Sequence, residues 1–581
     1  MSPYRILAWV ERSTEREEAV VRNDIRLLSL FLTTTSHPLR DRATRALVLR
    51  GEVCPELLFN EVLHSLAFDD PYVPERMLAA AYGVAMRLWA DPRGDALRSA
   101  IVPFARTLVR EMFVVDAPHA TRHALRRDYA LGVIVLARRI DPNAIASRQI
   151  PLLRRPFAQL PSPFVDHDQI TDADVEDARR AMHMDFANYT LGRLIPDRGN
   201  YQDDHIEYQE VRRQIARRMI DLGYSSADFN TADEVIVRSQ SPTRATEGGK
   251  VDRYGKKYSW IAFFEMYGLR EDLGLLGVDR MEERTSDCDI DPSFPQAPLE
   301  WVPGLSDVFG EAPIAKAEWL SKGPVPDYNH LLMVDEVDGL AGGPWVLLDG
   351  FILEEGSNAR EAFTFLRGLM MRPSDVQRVQ EEVAKSEYLG NSQIPEASDD
   401  YYTYAGEIPW STRYAGYSRL ATGRARRHVS PVLHRFQGGR WRDSGWIEVP
   451  VHRWAWEGHH SSLNDVSGVE FPSAALCETL NLVNRGATFD LWDETGKQAT
   501  VYREFKIADV YGNSHLLYMR RDLLETYLAR TNQEYVWIPW GERTLNHREF
   551  DRRSLDDDVQ RALQDHQNTH GRLIQLKLLS S

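Results

Sequence analysis

The sequence predicts an α-rich multidomain protein, in which an array of helices is followed by an α+β C-terminal region. Three observations predict it. At 581 residues the chain is too long for one hydrophobic core. From Asn23 to about Asp141 the apolar residues recur at helical spacing between regularly placed prolines. Beyond about Asp287, β-branched and aromatic pieces alternate with helical ones. The expected regions are 1–150, helical repeats; 151–286, a helical region with a polar loop at 239–250; and 287–581, the α+β region.

The first region is read element by element. Pro38, Pro55 and Pro71 stand where a first-turn proline is tolerated, because the missing N–H has no helical partner there. Asp70 offers a cap before Pro71, and Gly51 is expected to close the helix that begins at Pro38. Ala43, Ala46, Leu47 and Leu49 face inward in one helix, Leu57, Leu58, Val62 and Leu66 in the next, and Met77, Leu78, Ala81, Val84 and Leu88 in the third. In the second region a proline-rich connector (Pro151, Pro156, Pro161, Pro163) precedes an acidic helix start at Thr171-Asp172-Ala173-Asp174. A helix follows over Asp204 to Leu222, and a short one over Tyr258 to Tyr267. In the third region Trp345–Leu348, Trp446–Val449 and Tyr535–Ile538 read as strands. Ala359–Met371, Pro373–Ser386, Pro472–Leu482 and Arg520–Arg530 read as helices, and Asp493-Glu494-Thr495-Gly496 as a hairpin turn.

Composition narrows the function classes. Hydrophobic residues make up 43% of the chain and there are 14 tryptophans, enough to build packed cores. A net charge of −16 opposes a broad grip on nucleic acid. Arginine serves almost alone as the early cation, the first lysine being Lys250, which fits the bias of a GC-rich genome better than a dedicated nucleic-acid face. Cys54, Cys288 and Cys477 are too dispersed for a CxxC pair and suit a reducing compartment. With no long apolar run and no leader-like start, a cytoplasmic location without a membrane partner is expected.

Catalytic signatures are missing. Neither Gly248-Gly249-Lys250 nor Gly255-Lys256-Lys257 satisfies the P-loop: Arg244 and Lys250 replace the required leading glycine, and Val251 and Lys257 replace the hydroxyl residue after the lysine. There is no GxSxG elbow. Asp287, Asp289 and Asp291 alternate like calcium ligands but lack the glycine turn and the distal glutamate. Glu457, His459, His460 and Asp465, with His452, lack the helical spacing that brings two imidazoles to one ion. No cofactor, metal or catalytic residue is therefore expected. The most distinctive stretch runs from Tyr254 to Glu265. Its Tyr254, Lys256, Lys257, Tyr258 and Trp260 are the candidate binding residues, since ammonium groups beside aromatic faces suit recognition. The alternative is a helix N-terminus whose aromatic residues fix it to the array.

The segments around Arg40-Asp41-Arg42-Ala43, Glu75-Arg76-Met77 and Arg127-Asp128-Tyr129-Ala130 share an acid–arginine pair and a stripe of small residues. They resemble the HEAT repeat, in which an Asp/Arg pair ties successive turns, so the first region is expected to be a HEAT-like α-solenoid. The spacing is uneven, 34 residues from Asp41 to Glu75 and 53 from Glu75 to Asp128, so the repeat is degenerate. These stretches, with Asp70–Arg76, Gly255–Ala262, Asp289–Pro292 and Trp540–Arg543, are similar to the C-terminal part of large bacterial STAND-class ATPases, including antiviral ones of the AVAST type. In such proteins an effector and an ATPase precede a repeat region that senses a phage protein and triggers oligomerisation. The resemblance implies a sensor portion whose partner is a phage protein or another subunit of a defence complex, with oligomerisation through an associated ATPase. It carries over no catalytic residue. The rival readings are a hydrolase built around Glu407, His452, His459 and Asp465, and a scaffold subunit.

Overall fold

The computed structural model describes residues 3–90 (apart from 15), 98–276 (apart from 155, 183–185, 197, 199–200 and 240–250), 301–305, 309, 316–356 (apart from 324–325), 360–385, 398–401, 433–437, 440–455, 468–483, 490–505, 507, 514–545 and 577–578. An α-helical N-terminal part is followed by an antiparallel sheet region.

The helical part opens with α1 (Pro3–Arg12), α2 (Glu18–Phe31), α3 (His37–Val53), α4 (Pro55–Ser65), α5 (Tyr72–Ala90), α6 (Ile101–Met112) and α7 (Ala124–Ile140). Helices α1, α3, α5 and α7 pack side by side in one layer, and α2, α4 and α6 in a second layer against it. Consecutive helices alternate between layers because each has one apolar stripe, which the facing layer covers. Then come α8 (Asp172–Ala178), α9 (Ile206–Asp221), α10 (Ser226–Ser239) and α11 (Tyr254–Asp272), with α11 packed against α7, α9 and α10. One continuous core runs from Leu7 to Leu276, so 151–276 shares its interior with the first region.

Local expectations meet mixed outcomes. Asp70 Oδ1 accepts from the Tyr72 N–H at 3.1 Å, opening α5 after Pro71. Thr171 and Asp174 form a reciprocal capping box at the start of α8. Gly51 does not end α3, which continues to Val53. A Cβ there would run into Leu58 and Val84, so this glycine is a close-approach residue between helices. Helix α11 is longer than the expected Tyr258–Tyr267 stretch at both ends.

Buried arginines join the helices. Arg50 of α3 reaches Asp24 of α2 at 3.2 Å, Arg76 of α5 reaches Asp41 of α3 at 3.1 Å, and Arg127 of α7 reaches Asp272 at the end of α11 at 2.6 Å. His123, at the start of α7, lies 3.5 Å from Glu75 of α5. Burial, then the positive charges of Arg126, Arg127 and Arg218, hold the His123 pKa well below the ordinary histidine value.

In the sheet region, described strands are β1 (Met333–Val337), β2 (Leu340–Gly356), β3 (Arg360–Met371), β4 (Ser398–Tyr401), β5 (Leu433–Gln437), β6 (Arg440–Glu448), β7 (Val451–Ala455), β8 (Gly468–Pro472), β9 (Thr500–Phe505), β10 (Ser514–Arg520), β11 (Glu534–Leu545) and β12 (Lys577–Leu578). The main sheet runs β12-β11-β3-β2-β10-β9, with β1 added to β2, β6 to β3 and β5 to β6, every pair antiparallel. A smaller sheet, β4-β7-β8, has β4 parallel to β7 and β8 antiparallel to it. Four described helices accompany them: α12 (Lys316–Lys322), α13 (Pro373–Lys385), α14 (Ala474–Thr479) and α15 (Arg521–Thr531).

The strands expected at Trp345–Leu348, Trp446–Val449 and Tyr535–Ile538 are present, within β2, at the end of β6 and within β11. The turn at Asp493–Gly496 is present too: Asp493 Oδ1 accepts from the Thr495 and Lys497 N–H groups at 2.9 and 3.0 Å, and Gly496 has φ +82°. Of the stretch Ala359–Met371, expected as a helix, Arg360–Met371 is strand β3, inside the main sheet. Ala, Leu and Met favour a helix locally, but burial alternates from Arg360 to Arg367 before Gly368–Met371 are buried throughout, and the neighbours β2 and β11 supply a ladder on both edges.

Candidate functional site

The aromatic–lysine stretch singled out in the sequence forms the first turns of α11. Asp233 of α10 caps it, accepting from the N–H groups of Tyr254 and Gly255 at 2.6 and 3.0 Å. Lys257 is buried and donates to Asp70 Oδ2 at 2.6 Å and to the Thr33 carbonyl at 2.9 Å, with its ammonium 4.9 Å from the centre of the Tyr72 ring. Burial lowers the Lys257 pKa and the Asp70 charge works against that shift. Trp260 is buried among Phe186, Phe263 and Phe264. Tyr254 stacks on Phe229 at 4.9 Å, Tyr258 lies between Phe229 and Tyr224, and Lys256 pairs with Asp252 at 2.8 Å. The five residues thus share one helix, but Lys257 and Trp260 make their contacts inside the protein. The stretch locks α11 onto α5 and α10, and only Tyr254, Lys256 and Tyr258 keep partial exposure.

A different cluster lies in the sheet region. Asp349 of β2, Glu470 of β8 and His515 of β10 bring one ligand atom each to within 4.8 Å of one another. His515 Nε2 is 3.2 Å from Glu470 Oε1 and 3.8 Å from Asp349 Oδ1. The register explains the convergence. His515 pairs with Phe351 and Leu517 with Asp349, so Asp349 is the diagonal neighbour of His515 on one face. On the other side His515 pairs with Glu504 and Leu517 with Tyr502, which places Tyr502 and Glu504 on that same face. Tyr502 Oη donates to Glu504 Oε1 at 2.7 Å. Glu470 arrives from the smaller sheet, whose β8 packs against β10.

The electrostatics follow from three titratable groups, of which Glu470 is buried and Asp349 and His515 are half-buried. Burial raises the Asp349 carboxyl and the Glu470 charge adds to it, while His515 and Arg367 act in the opposite sense. Burial disfavours the His515 imidazolium, but the two carboxylates outweigh it and push its pKa up. Of the three groups, the imidazolium is the cation that faces both acids.

None of these three residues belongs to a sequence motif. The one signal available is a single ionisable residue set in an apolar strand: Asp349 directly follows Trp345-Val346-Leu347-Leu348, and Glu470 lies between Val469 and Phe471. His452 is a described residue and is buried on β7, where it pairs with Phe471; alternation therefore turns it to the opposite face from Glu470. Asp287, Asp289, Asp291, Glu407, Glu457, His459, His460, Asp465 and the loop from Gln240 to Lys250 lie outside the described residues. Cys54 and Cys477 are free thiols, and burial holds the Cys477 pKa well above the ordinary value. Among the described residues no helix is long and apolar enough to cross a membrane. The chain matches no protein-family model and no curated protein.

Proposed function

We propose that the protein is a ligand-sensing, protein-recognition module of a bacterial antiviral defence system, acting in the cytoplasm and binding a phage-encoded protein through a HEAT-like solenoid and the adjoining sheet region. The observation that carries this reading is a row of exposed apolar residues on the two-layer helical stack. Leu30 stands in the last turn of α2, Phe68 just beyond α4 and Val115 just beyond α6, with exposures of 64%, 39% and 62%. Helices α2, α4 and α6 form one layer, with α4 in contact with both of the others, and the three residues stand at or just beyond the C-terminal ends of these helices. Apolar groups at one edge of a helical stack suit contact with another protein.

Two further features support the reading. The Asp24–Arg50 and Asp41–Arg76 pairs join successive helix pairs as the Asp/Arg ties of HEAT repeats do. The similarity of Asp70–Arg76 and Gly255–Ala262 to the sensor part of STAND-class ATPases supplies the antiviral context. Oligomerisation would then come from an associated ATPase.

The test is co-expression of the full chain with individual phage proteins, scored by co-purification and by protection of the host. Support requires a phage protein that co-purifies with the wild type and is lost from a folded Leu30→Ser/Phe68→Ser/Val115→Ser variant. Host protection without any co-purifying phage protein, or binding that the triple variant retains in full, would overturn the reading.

A further inference from the structure

The convergence of Asp349, Glu470 and His515 does more than an ion pair requires. A single imidazole nitrogen carries one proton and serves one good hydrogen bond, yet two carboxylate oxygens, from strands of two different sheets, are directed at the same Nε2, at 3.2 and 3.8 Å. Ligand atoms about 2.1 Å from a common ion stand roughly 3.0–3.4 Å apart in octahedral or tetrahedral geometry. One pair here already has that separation, and the whole set lies within 4.8 Å, so a shift of about an ångström in side-chain position closes the set around an ion. We propose that Asp349, Glu470 and His515 form a binding site for a divalent first-row transition ion of the zinc or manganese class.

The chemistry of the donors selects the ion. Two carboxylate oxygens and one imidazole nitrogen are too mixed a set for Ca²⁺, which takes all-oxygen shells of six to eight ligands, and they suit Zn²⁺ or Mn²⁺. Two carboxylates neutralise a dication. Because the donors come from β2, β8 and β10, their positions are set by strand pairing rather than by a loop. Glu470 is buried, whereas Asp349 and His515 retain some exposure. The ion therefore has three protein ligands and a side open to solvent, the pattern of sites that keep a position for water or substrate. This proposal is independent of phage-protein recognition.

The experiment uses the full chain, stripped with EDTA and titrated calorimetrically with ZnCl₂ and, separately, with MnCl₂. The expected result is one saturable site per chain for at least one ion, weakened at least ~10-fold by Glu470→Gln and by Asp349→Asn, and lost in His515→Ala. Absence of a saturable site, or wild-type affinity in all three variants, overturns the proposal. Circular dichroism verifies that each variant folds. Should a variant not fold, Co²⁺ loaded into the wild type decides the matter. Visible d–d bands of a low-coordinate nitrogen–oxygen site support the assignment, and a hexa-aqua spectrum or a thiolate charge-transfer band, reporting solvent or a cysteine, overturns it.

Discussion

The arginine–acid ties of the helical region and the Asp349–Glu470–His515 cluster of the sheet region bury ionisable groups in different ways, although the sheet region also holds a buried arginine–acid pair, Arg503 with Asp490. In the helical region three buried arginines are matched to acids on a neighbouring helix: Arg50 with Asp24, Arg76 with Asp41, Arg127 with Asp272. In the sheet region Asp349, Glu470 and His515 bring two acids to one imidazole. The first arrangement uses guanidinium groups, whose several donors can serve more than one acid at once, and ties elements together. The second is poised to accept a further cation. Burial of charge is costly in both, so what differs is whether the partners complete one another.

The comparison can be broken most forcefully at Arg76. It is fully buried, with Asp41 at 3.1 Å and Glu75 at 3.6 Å, so Arg76→Ala takes a buried cationic partner from both acids. The expected loss is about 3–5 kcal/mol, read as a lower denaturant midpoint of the helical circular-dichroism signal. A variant as stable as the wild type would mean that the pair holds nothing together.

A matching test in the sheet region concerns Gly368 of β3, over which Tyr535 passes to donate to the Leu347 carbonyl at 2.9 Å. Gly368→Ala puts a methyl group in the path of that hydroxyl and is expected to cost about 1–3 kcal/mol, as overpacking does. The measurement is the thermal midpoint followed by tryptophan fluorescence.

An acid titration sharpens the contrast further. Burial raises the Asp493 carboxyl, but hydrogen bonds from Thr495, Arg520 and Lys497 prevail and bring it down to about 2. A folded-state value below the unfolded one adds stability above the unfolded pKa of about 3.9, which is lost as pH falls toward the folded value. Asp493→Asn should therefore flatten the stability profile between about pH 4 and pH 2. An unchanged profile would show that the turn does not depend on this charge.

The smallest effect is expected at the exposed row. Leu30→Ser, Phe68→Ser and Val115→Ser should each change stability by no more than about 0.5 kcal/mol, while together abolishing binding of the phage protein. A large stability loss would place these side chains in the fold's own packing.

Most of the helical region was legible because a helix writes its buried face into the local sequence. The apolar positions of α4 and α5 and the helix start at Thr171 are visible within a few residues, whereas in α3 Val48 is buried in place of the expected Leu49, and the arginines find their acids on other helices. The Tyr254–Trp260 stretch was legible as unusual, but not as inward-facing at Lys257 and Trp260. Only the packing of α11 against α5 and α10 supplies Asp70 and Phe229 as partners. Strand β3 was misread because its residues favour a helix, and the ladders that override this preference come from β2 and β11, the latter well over a hundred residues away in sequence.

By itself the sequence determined the helical first part, the strand-containing last part, the absence of a P-loop and the turn at Asp493–Gly496. Those features depend on local periodicity and on backbone chemistry that neighbouring residues dictate. Only the tertiary structure decided that Asp349, Glu470 and His515 meet. Their encounter depends on which strands pair and in which register, and a slip of one residue would turn each side chain to the opposite face.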